Sequence, residues 1–166
     1  LEGKIPGAIA VHRLDRNTEG VLIMAKNKNA EKELSSAIKK QLFEKKYLAE
    51  VVGKTKYKGE KYSAFLVKDS KTSSVKVFKN FVQGAVKIET IYKTLKNGSE
   101  TSIVEASLVT GKTHQIRAHL AFLGNAIVGD GKYGKNEDNK KFKEKKQKLH
   151  CYSLKLNGLG GDLAYL

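Results

Sequence analysis

Hydrophobic positions follow different rhythms along this chain, and the changes of rhythm predict its elements. Ala8-Ile9-Ala10-Val11 and Val21-Leu22-Ile23-Met24-Ala25 are continuous apolar runs, and the second predicts a buried strand over 21–26. From 29 to 43 the spacing becomes helical. Ala30, Leu34, Ala37, Ile38 and Leu42 share one face, Glu31, Lys32, Lys39 and Lys40 lie outside, and Asn29 is the candidate cap. From Tyr47 the period falls to two. Strands are predicted at 47–52 (ended by Gly53), 62–67, 75–78, 86–96 and 101–109, with 54–61 an exposed Lys- and Gly-rich turn. Val86, Ile88, Thr90, Tyr92 and Thr94 alternate on one face, and Asn97-Gly98 marks a hairpin, so the middle of the chain is an antiparallel, mostly β region.

A second helix is predicted from His114 to Leu123, with Thr113 as cap and Gly124 as terminator. Ile116, Leu120 and Leu123 share a face of it, with His114, Arg117 and Ala118 on others. A short strand at 126–128, turns through 129–134 and a strand at 149–156 follow. Residues 135–148 hold seven lysines and read as a solvated basic loop with room for one helical turn. Residues 1–7 and the Gly-rich tail 157–166 carry no predicted element.

A length of 166 residues suggests one domain, long enough to bury roughly 70% of its unfolded surface without a staple. The single cysteine, Cys151, excludes an internal disulfide and argues against a Cys-based zinc site, which fits a reducing compartment, the cytoplasm. The apolar runs are too short for a membrane-spanning helix, and no signal peptide is visible. Lys plus Arg number 32 against 17 acids, a net charge of +15. Such an excess attracts polyanions, with nucleic acid the default partner; the competing explanation is a Lys-rich solubilising surface.

The candidate chemistry starts in His12-Arg13-Leu14-Asp15-Arg16-Asn17-Thr18-Glu19-Gly20, a polar loop held between two apolar runs. Arg13 and Arg16 flank Asp15 in sequence and favour its ionised form. The alternative is an Asp that merely makes a turn with its own backbone before Gly20. A lone aimed carboxylate can do covalent chemistry at a sugar carbon or an electron-poor ring. An Arg from another segment could aim it through a bidentate pair. Arg117, flanked by apolar residues in the basic stretch Lys112 to Arg117, is the candidate, unless it reaches solvent or a phosphate instead. Tyr47, read as lying at a strand start, could stack on an extruded base or be ordinary core. Gly111-Lys112-Thr113 is not a P-loop, because Ala106 stands where the earlier glycine is required. His114 and His119 are five apart and do not align on one helix face, so no metal site is expected.

The motifs carry a resemblance. The stretch His12–Gly20 resembles the H-R-L-D-x-x-T-S-G motif of RluA-type pseudouridine synthases. Lys46-Tyr47-Leu48-Ala49-Glu50-Val51-Val52-Gly53 resembles their second motif, and Gly111-Lys112-Thr113-His114-Gln115-Ile116-Arg117-Ala118-His119-Leu120 their G-[RK]-T-H-Q-I-R-x-H-L motif. Ile127-Val128-Gly129-Asp130 through Tyr133-Gly134 and Leu149-His150-Cys151-Tyr152-Ser153-Leu154 continue the match. The resemblance implies an α+β fold built on a bent, mixed but mainly antiparallel sheet with flanking helices, and no metal or organic cofactor. It implies Asp15 as catalytic nucleophile, Arg117 paired with it and Tyr47 against the target base. Arg13 would help hold the site of the extruded base open, and Arg16, Lys112, His114 and Gln115 would be further substrate contacts. The reaction implied is isomerisation of a uridine in RNA.

Glu19 stands where the family usually has Ser, which suggests a tuned loop rather than lost activity. Against the family, residues 1–166 read as a catalytic domain shortened at both ends and lacking an N-terminal RNA-binding module. Tyr133-Gly134-Lys135-Asn136 and the lysine-rich insertion lean toward the RluC-like branch and a large-subunit ribosomal RNA substrate, with transfer RNA the main alternative and a monomer expected. Two rivals are a non-catalytic RNA-binding module and a nucleoside or glycoside hydrolase. The hydrolase needs two cooperating carboxylates, and no partner acid for Asp15 stands out in the sequence.

Overall fold

The computed structural model describes residues 6–69 and 72–157. The loop expected over residues 1–5 and the glycine-rich tail from 158 onward lie outside the described residues. The elements in chain order are β1 (Ile9–Ala10), β2 (Glu19–Gly20), β3 (Met24–Ala25), α1 (Lys28–Lys39), β4 (Phe43–Val52), β5 (Lys58–Asp69) and β6 (Ser74–Phe78). Then come β7 (Val86–Asn97), β8 (Thr101–Leu108), α2 (Gln115–Phe122), α3 (Asn136–Lys141) and β9 (Leu149–Leu156). Among the described residues a seven-stranded sheet runs β2-β9-β4-β8-β7-β5-β6, and β1 and β3 form a separate two-stranded ribbon. Among the described residues β2 pairs with β9 in parallel, and the other pairings of the large sheet are antiparallel. The α+β architecture expected from the sequence is present.

Alternation builds the core. Tyr47, Ala49 and Val51 of β4, Leu149 and Cys151 of β9, Val104 and Ala106 of β8 and Tyr92 of β7 form one buried cluster with Ile116 and Leu120 of α2 and with Ile127. Side chains two apart on a strand share a face, so this cross-strand register turns a period-two sequence into one buried surface. Burying that surface away from water is the main stabilising term of the domain. A second cluster holds α1 in place through Leu34 and Ala37 against Ala25 and Phe43, with Ala30, Ile38 and Leu42 beside them, as the helical spacing predicts.

Several boundaries differ from the sequence reading. The run 21–25 is not one buried strand. Its neighbour Gly20 is drawn to β9, Val21 donates its N–H to the Cys151 carbonyl and is 43% exposed, and only Met24–Ala25 pair with β1. One apolar run thus serves two separate sheets. The cap of α1 is Asn27, whose Oδ1 accepts the Ala30 N–H at 2.9 Å, and not Asn29. The helix stops at Lys39; Gln41 turns the chain at φ +57, and β4 starts at Phe43 because Phe43–Lys46 pair with β9. Tyr47 is therefore mid-strand, not at a strand start.

Strand β5 begins at Lys58, inside the expected turn, and Thr55 is buried against Thr94 and Asn97. Thr113 does not cap α2; the capping position is His114, at φ +51, with no side-chain cap. Residues 126–128 form a single bridge, Val51 to Ile127, rather than a strand. The helical turn allowed within 135–148 is present as α3, but Gln147 is buried, so the segment is not simply a solvated loop.

Candidate active site

The polar loop between β1 and β2 is pinned along its length. His12 Nε2 accepts the Ile23 N–H at 3.1 Å, which requires an unprotonated nitrogen. Burial, helped by the nearby Lys45 charge, lowers the His12 pKa to about 4 and keeps the ring neutral. A turn follows, closed by Thr18 N–H to the Asp15 carbonyl at 3.0 Å with Asn17 at φ +66. Gly20 ends it at φ +119 with the chain pressed on β9: a Cβ there would lie 2.0 Å from the Cys151 carbonyl oxygen. Only glycine permits both. Asp15 is thus carried on a fixed turn at an open cleft of about 850 Å3 lined by His12, Arg13, Asp15, Thr18, Glu19 and Leu22 among others.

Helix α2 supplies the counter-charge. Its residues from Gln115 to Leu120 are all buried, so Arg117 cannot reach solvent and turns inward. Its Nη1 lies 3.4 Å from Asp15 Oδ2. The bidentate grip goes elsewhere: Nε donates to Asp130 Oδ2 at 2.7 Å and Nη2 to Asp130 Oδ1 at 2.9 Å. The expected bidentate Asp15–Arg117 pair is therefore corrected to a single longer contact, because Asp130 occupies the fork. Asp130 Oδ1 also accepts the backbone N–H of Lys132 at 2.9 Å and of Tyr133 at 3.1 Å. Burial alone would raise the Asp130 carboxyl; the Arg117 charge and these donors outweigh it and hold it below the usual carboxylate range. Burial likewise opposes the Arg117 cation, and the two carboxylates outweigh it.

Tyr133 completes the seat. Arg117 Cζ sits 5.2 Å from its ring centroid, a cation–π contact. The Tyr133 hydroxyl oxygen accepts the Val75 N–H at 3.0 Å and lies 2.7 Å from His114 Nδ1. The guanidinium is gripped by Asp130 at one edge and by an aromatic face, and presents its remaining nitrogen to Asp15.

Tyr47 is buried on the core face of β4, where the register against β9 shifts between Lys46 and Tyr47. Such an irregularity bends a strand and re-aims the side chain next to it. Burial first, then Cys151 and the Asp15 charge, push the Tyr47 phenol well above its ordinary value. The tyrosine stays protonated at neutral pH.

The structure brings Asp15, Arg117 and Tyr47 into one neighbourhood and sorts the other sequence-predicted residues. Arg13, Arg16 and Lys112 are exposed; neither Arg13 nor Arg16 forms an ion pair with Asp15 among the described residues. His114 is half-buried beside Tyr133. Gln115 does not face a ligand. Its Oε1 accepts from the Thr110 hydroxyl and the Lys112 N–H, and its Nε2 donates to the Glu89 carbonyl and Thr90 Oγ1, so its capacity is filled inside the protein. Asp130 and Tyr133 were missed as individual site residues. The available signal was Asp130, an acid one glycine after the apolar Ile127-Val128 at the head of a basic segment. No helix among the described residues is long and apolar enough to cross a membrane.

Residues 2–122 match the family described as RNA pseudouridylate synthase. The chain is 36% identical over 124 residues, 75% of its length, to the ribosomal large subunit pseudouridine synthase C of Vibrio parahaemolyticus. It is 38% identical over 150 residues, 86% of its length, to an uncharacterized RNA pseudouridine synthase of Mycoplasma genitalium. The structure of human RNA pseudouridylate synthase domain containing 1 superposes with a TM-score of 0.82 at 26% identity, covering 94% of this chain and 66% of that one. The chain belongs to the RNA pseudouridylate synthase family. It spans 38% of the Vibrio relative and 45% of the Mycoplasma relative.

Proposed function

We propose that this domain isomerises uridine to pseudouridine in RNA, with Asp15 as the group that acts on the sugar and large-subunit ribosomal RNA as the substrate class. The observation that carries the reading is the fixed geometry of Arg117, gripped by Asp130 and stacked on Tyr133 with Nη1 left at 3.4 Å from Asp15. A guanidinium seated this way orients a carboxylate without being displaced by substrate.

In the nucleophilic route an Asp15 oxygen bonds to C1′ as the N1–C1′ bond breaks. The uracil turns, C5 bonds to C1′ and expels the carboxylate. The C5 proton leaves and N1 ends protonated, so atoms balance without a redox partner. In the alternative route Asp15 takes a sugar proton first; both use the same carboxylate. Tyr47, kept protonated by burial beside Asp15, is the residue we assign to pack against the uracil as it turns. Base extrusion costs a few kcal/mol, which phosphate contacts to a chain of net charge +15 offset. The family relative named for the ribosomal large subunit supports ribosomal RNA over transfer RNA.

Asp130, the second carboxylate on Arg117, does not supply the partner acid of a hydrolase dyad. It is 1% exposed and held ionised by Arg117, so it cannot act as a general acid. The test incubates wild type and Asp15→Asn with ribosomal and transfer RNA transcripts and analyses the nucleosides. Pseudouridine from wild type alone supports the proposal; free uracil points to a hydrolase, and binding without product to a non-catalytic module.

A further inference from the structure

The segment 135–148 does more than carry charge. Seven of its residues are lysines. Lys141 is paired with Glu100 and Lys148 with Glu144, while Lys135, Lys140, Lys143, Lys145 and Lys146 have no acidic partner among the described residues. A groove of about 580 Å3 runs along its second half. Yet two uncharged residues of this segment turn inward. Gln147, 6% exposed, donates from Nε2 to Thr18 Oγ1 at 2.6 Å. Asn139 accepts the Gly129 N–H at 2.8 Å and donates to the Asp130 carbonyl at 3.1 Å.

Those three hydrogen bonds fall on the two loops that build the site. Thr18 closes the Asp15 turn, and Gly129-Asp130 carries the carboxylate that grips Arg117. The segment is also pressed against the second loop: a Cβ on Gly129 would lie 2.0 Å from the Lys146 carbonyl oxygen, and Lys148 donates its N–H to Val128. One basic segment therefore holds both halves of the Asp15–Arg117 pair.

We propose that Gln147 and Asn139 are positioning residues that couple a phosphate backbone bound on the lysine-rich segment to the alignment of Asp15 with Arg117. This rests on the activity proposed above. RNA held on the lysines stiffens the segment, and the two amides pass that order to the Asp15 turn and the Asp130 loop. Positioning of this kind acts on turnover more than on binding.

The test uses the full chain with a ribosomal RNA hairpin substrate. Gln147→Met and Thr18→Val each remove one side of the same hydrogen bond at nearly constant volume, and Thr18→Ser keeps the hydroxyl. The expected result is a fall in kcat of roughly 10- to 100-fold for Gln147→Met and Thr18→Val with KM little changed. The double variant costs no more than either single one, because both break one contact, and Thr18→Ser stays near wild type. Thr18→Val tests the bond from the other side if Gln147→Met does not fold. A readout independent of turnover is hydrogen exchange at the Thr18 amide: bound RNA slows it in wild type and not in Gln147→Met. An unchanged kcat, a loss confined to KM, additive costs, or an undiminished exchange response in Gln147→Met overturns the proposal. Absence of pseudouridine from wild type would remove the underlying activity instead, while the exchange response still decides the coupling.

Discussion

The Arg117 guanidinium and the Asp130 carboxylate meet edge to edge, Nε to Oδ2 at 2.7 Å and Nη2 to Oδ1 at 2.9 Å, while Asp15 receives only Nη1 at 3.4 Å. Two carboxylates thus share one arginine in unequal ways. Asp130 is buried and saturated with donors, and Asp15 stands at the cleft with 22% of its side chain exposed.

Unequal sharing predicts opposite phenotypes. Asp130→Asn leaves a buried cation without its principal partner and destabilises the domain by about 3 kcal/mol, with activity falling as Arg117 loses its seat. Asp15→Asn abolishes activity but changes stability by less than about 1 kcal/mol, since it gives up one long contact. Denaturant melts of the two variants beside product assays check this. Equal stability losses would show that Asp15 and Asp130 share the structural role.

Gly20→Ala puts a methyl group 2.0 Å from the Cys151 carbonyl oxygen at a φ of +119. The β2–β9 pairing has to open, and with it the C-terminal anchor of the Asp15 loop. The expected cost is about 2 kcal/mol or more, read as a lower unfolding midpoint. A variant as stable as wild type would mean that this parallel pairing does not hold the loop.

Acid should loosen the core through His119. Both its ring nitrogens are buried without a hydrogen-bond partner among the described residues, and burial lowers its pKa from 6.5 to about 4. The folded state therefore binds fewer protons than the unfolded state in this window. Its contribution is present above pH 6.5 and is lost as pH falls from 6.5 through about 4, amounting to roughly 3 kcal/mol. His12, also lowered to about 4, adds to the same slope. Asp130, depressed instead, gives up its share only at lower pH. Denaturant unfolding between pH 7 and 4 should show a flatter slope for His119→Leu than for wild type; parallel slopes would contradict the assignment.

The lysines of 143–146 should govern salt dependence. Replacing Lys143, Lys145 and Lys146 with Gln lowers the dependence of log affinity on log salt by about 2, as fewer counterions are released. Filter binding across a salt series measures it. An unchanged slope would place the RNA on another surface.

What the sequence revealed followed from how each signal is encoded. Period-two alternation from Tyr47 to Leu108 exposed the central strands, because burial on one face leaves a direct trace. Asp15 stands out as the acid of a charged loop held between two apolar runs, Arg117 as a cation flanked by apolar residues, and Tyr47 as an aromatic opening an apolar run. The run Val21–Ala25 misled, since a strand that serves two sheets has no single period. The resemblance implies Gln115 as a substrate contact, whereas its partners are Glu89, Thr90, Thr110 and Lys112 inside the fold. Asp130 was hidden because its link to Arg117 depends on how the 127–133 turn folds back on α2. In 135–148 the lysine composition masked Asn139 and Gln147, whose inward contacts are visible only in three dimensions.

The most direct test follows the hydrogen on C5. Ribosomal RNA tritiated at uridine C5 is incubated with the wild-type chain and with Asp15→Asn. Release of tritium to water by wild type, with none above background from the variant, is the predicted result. Equal release from both, or none from wild type on RNA that it binds, would contradict the role given to Asp15.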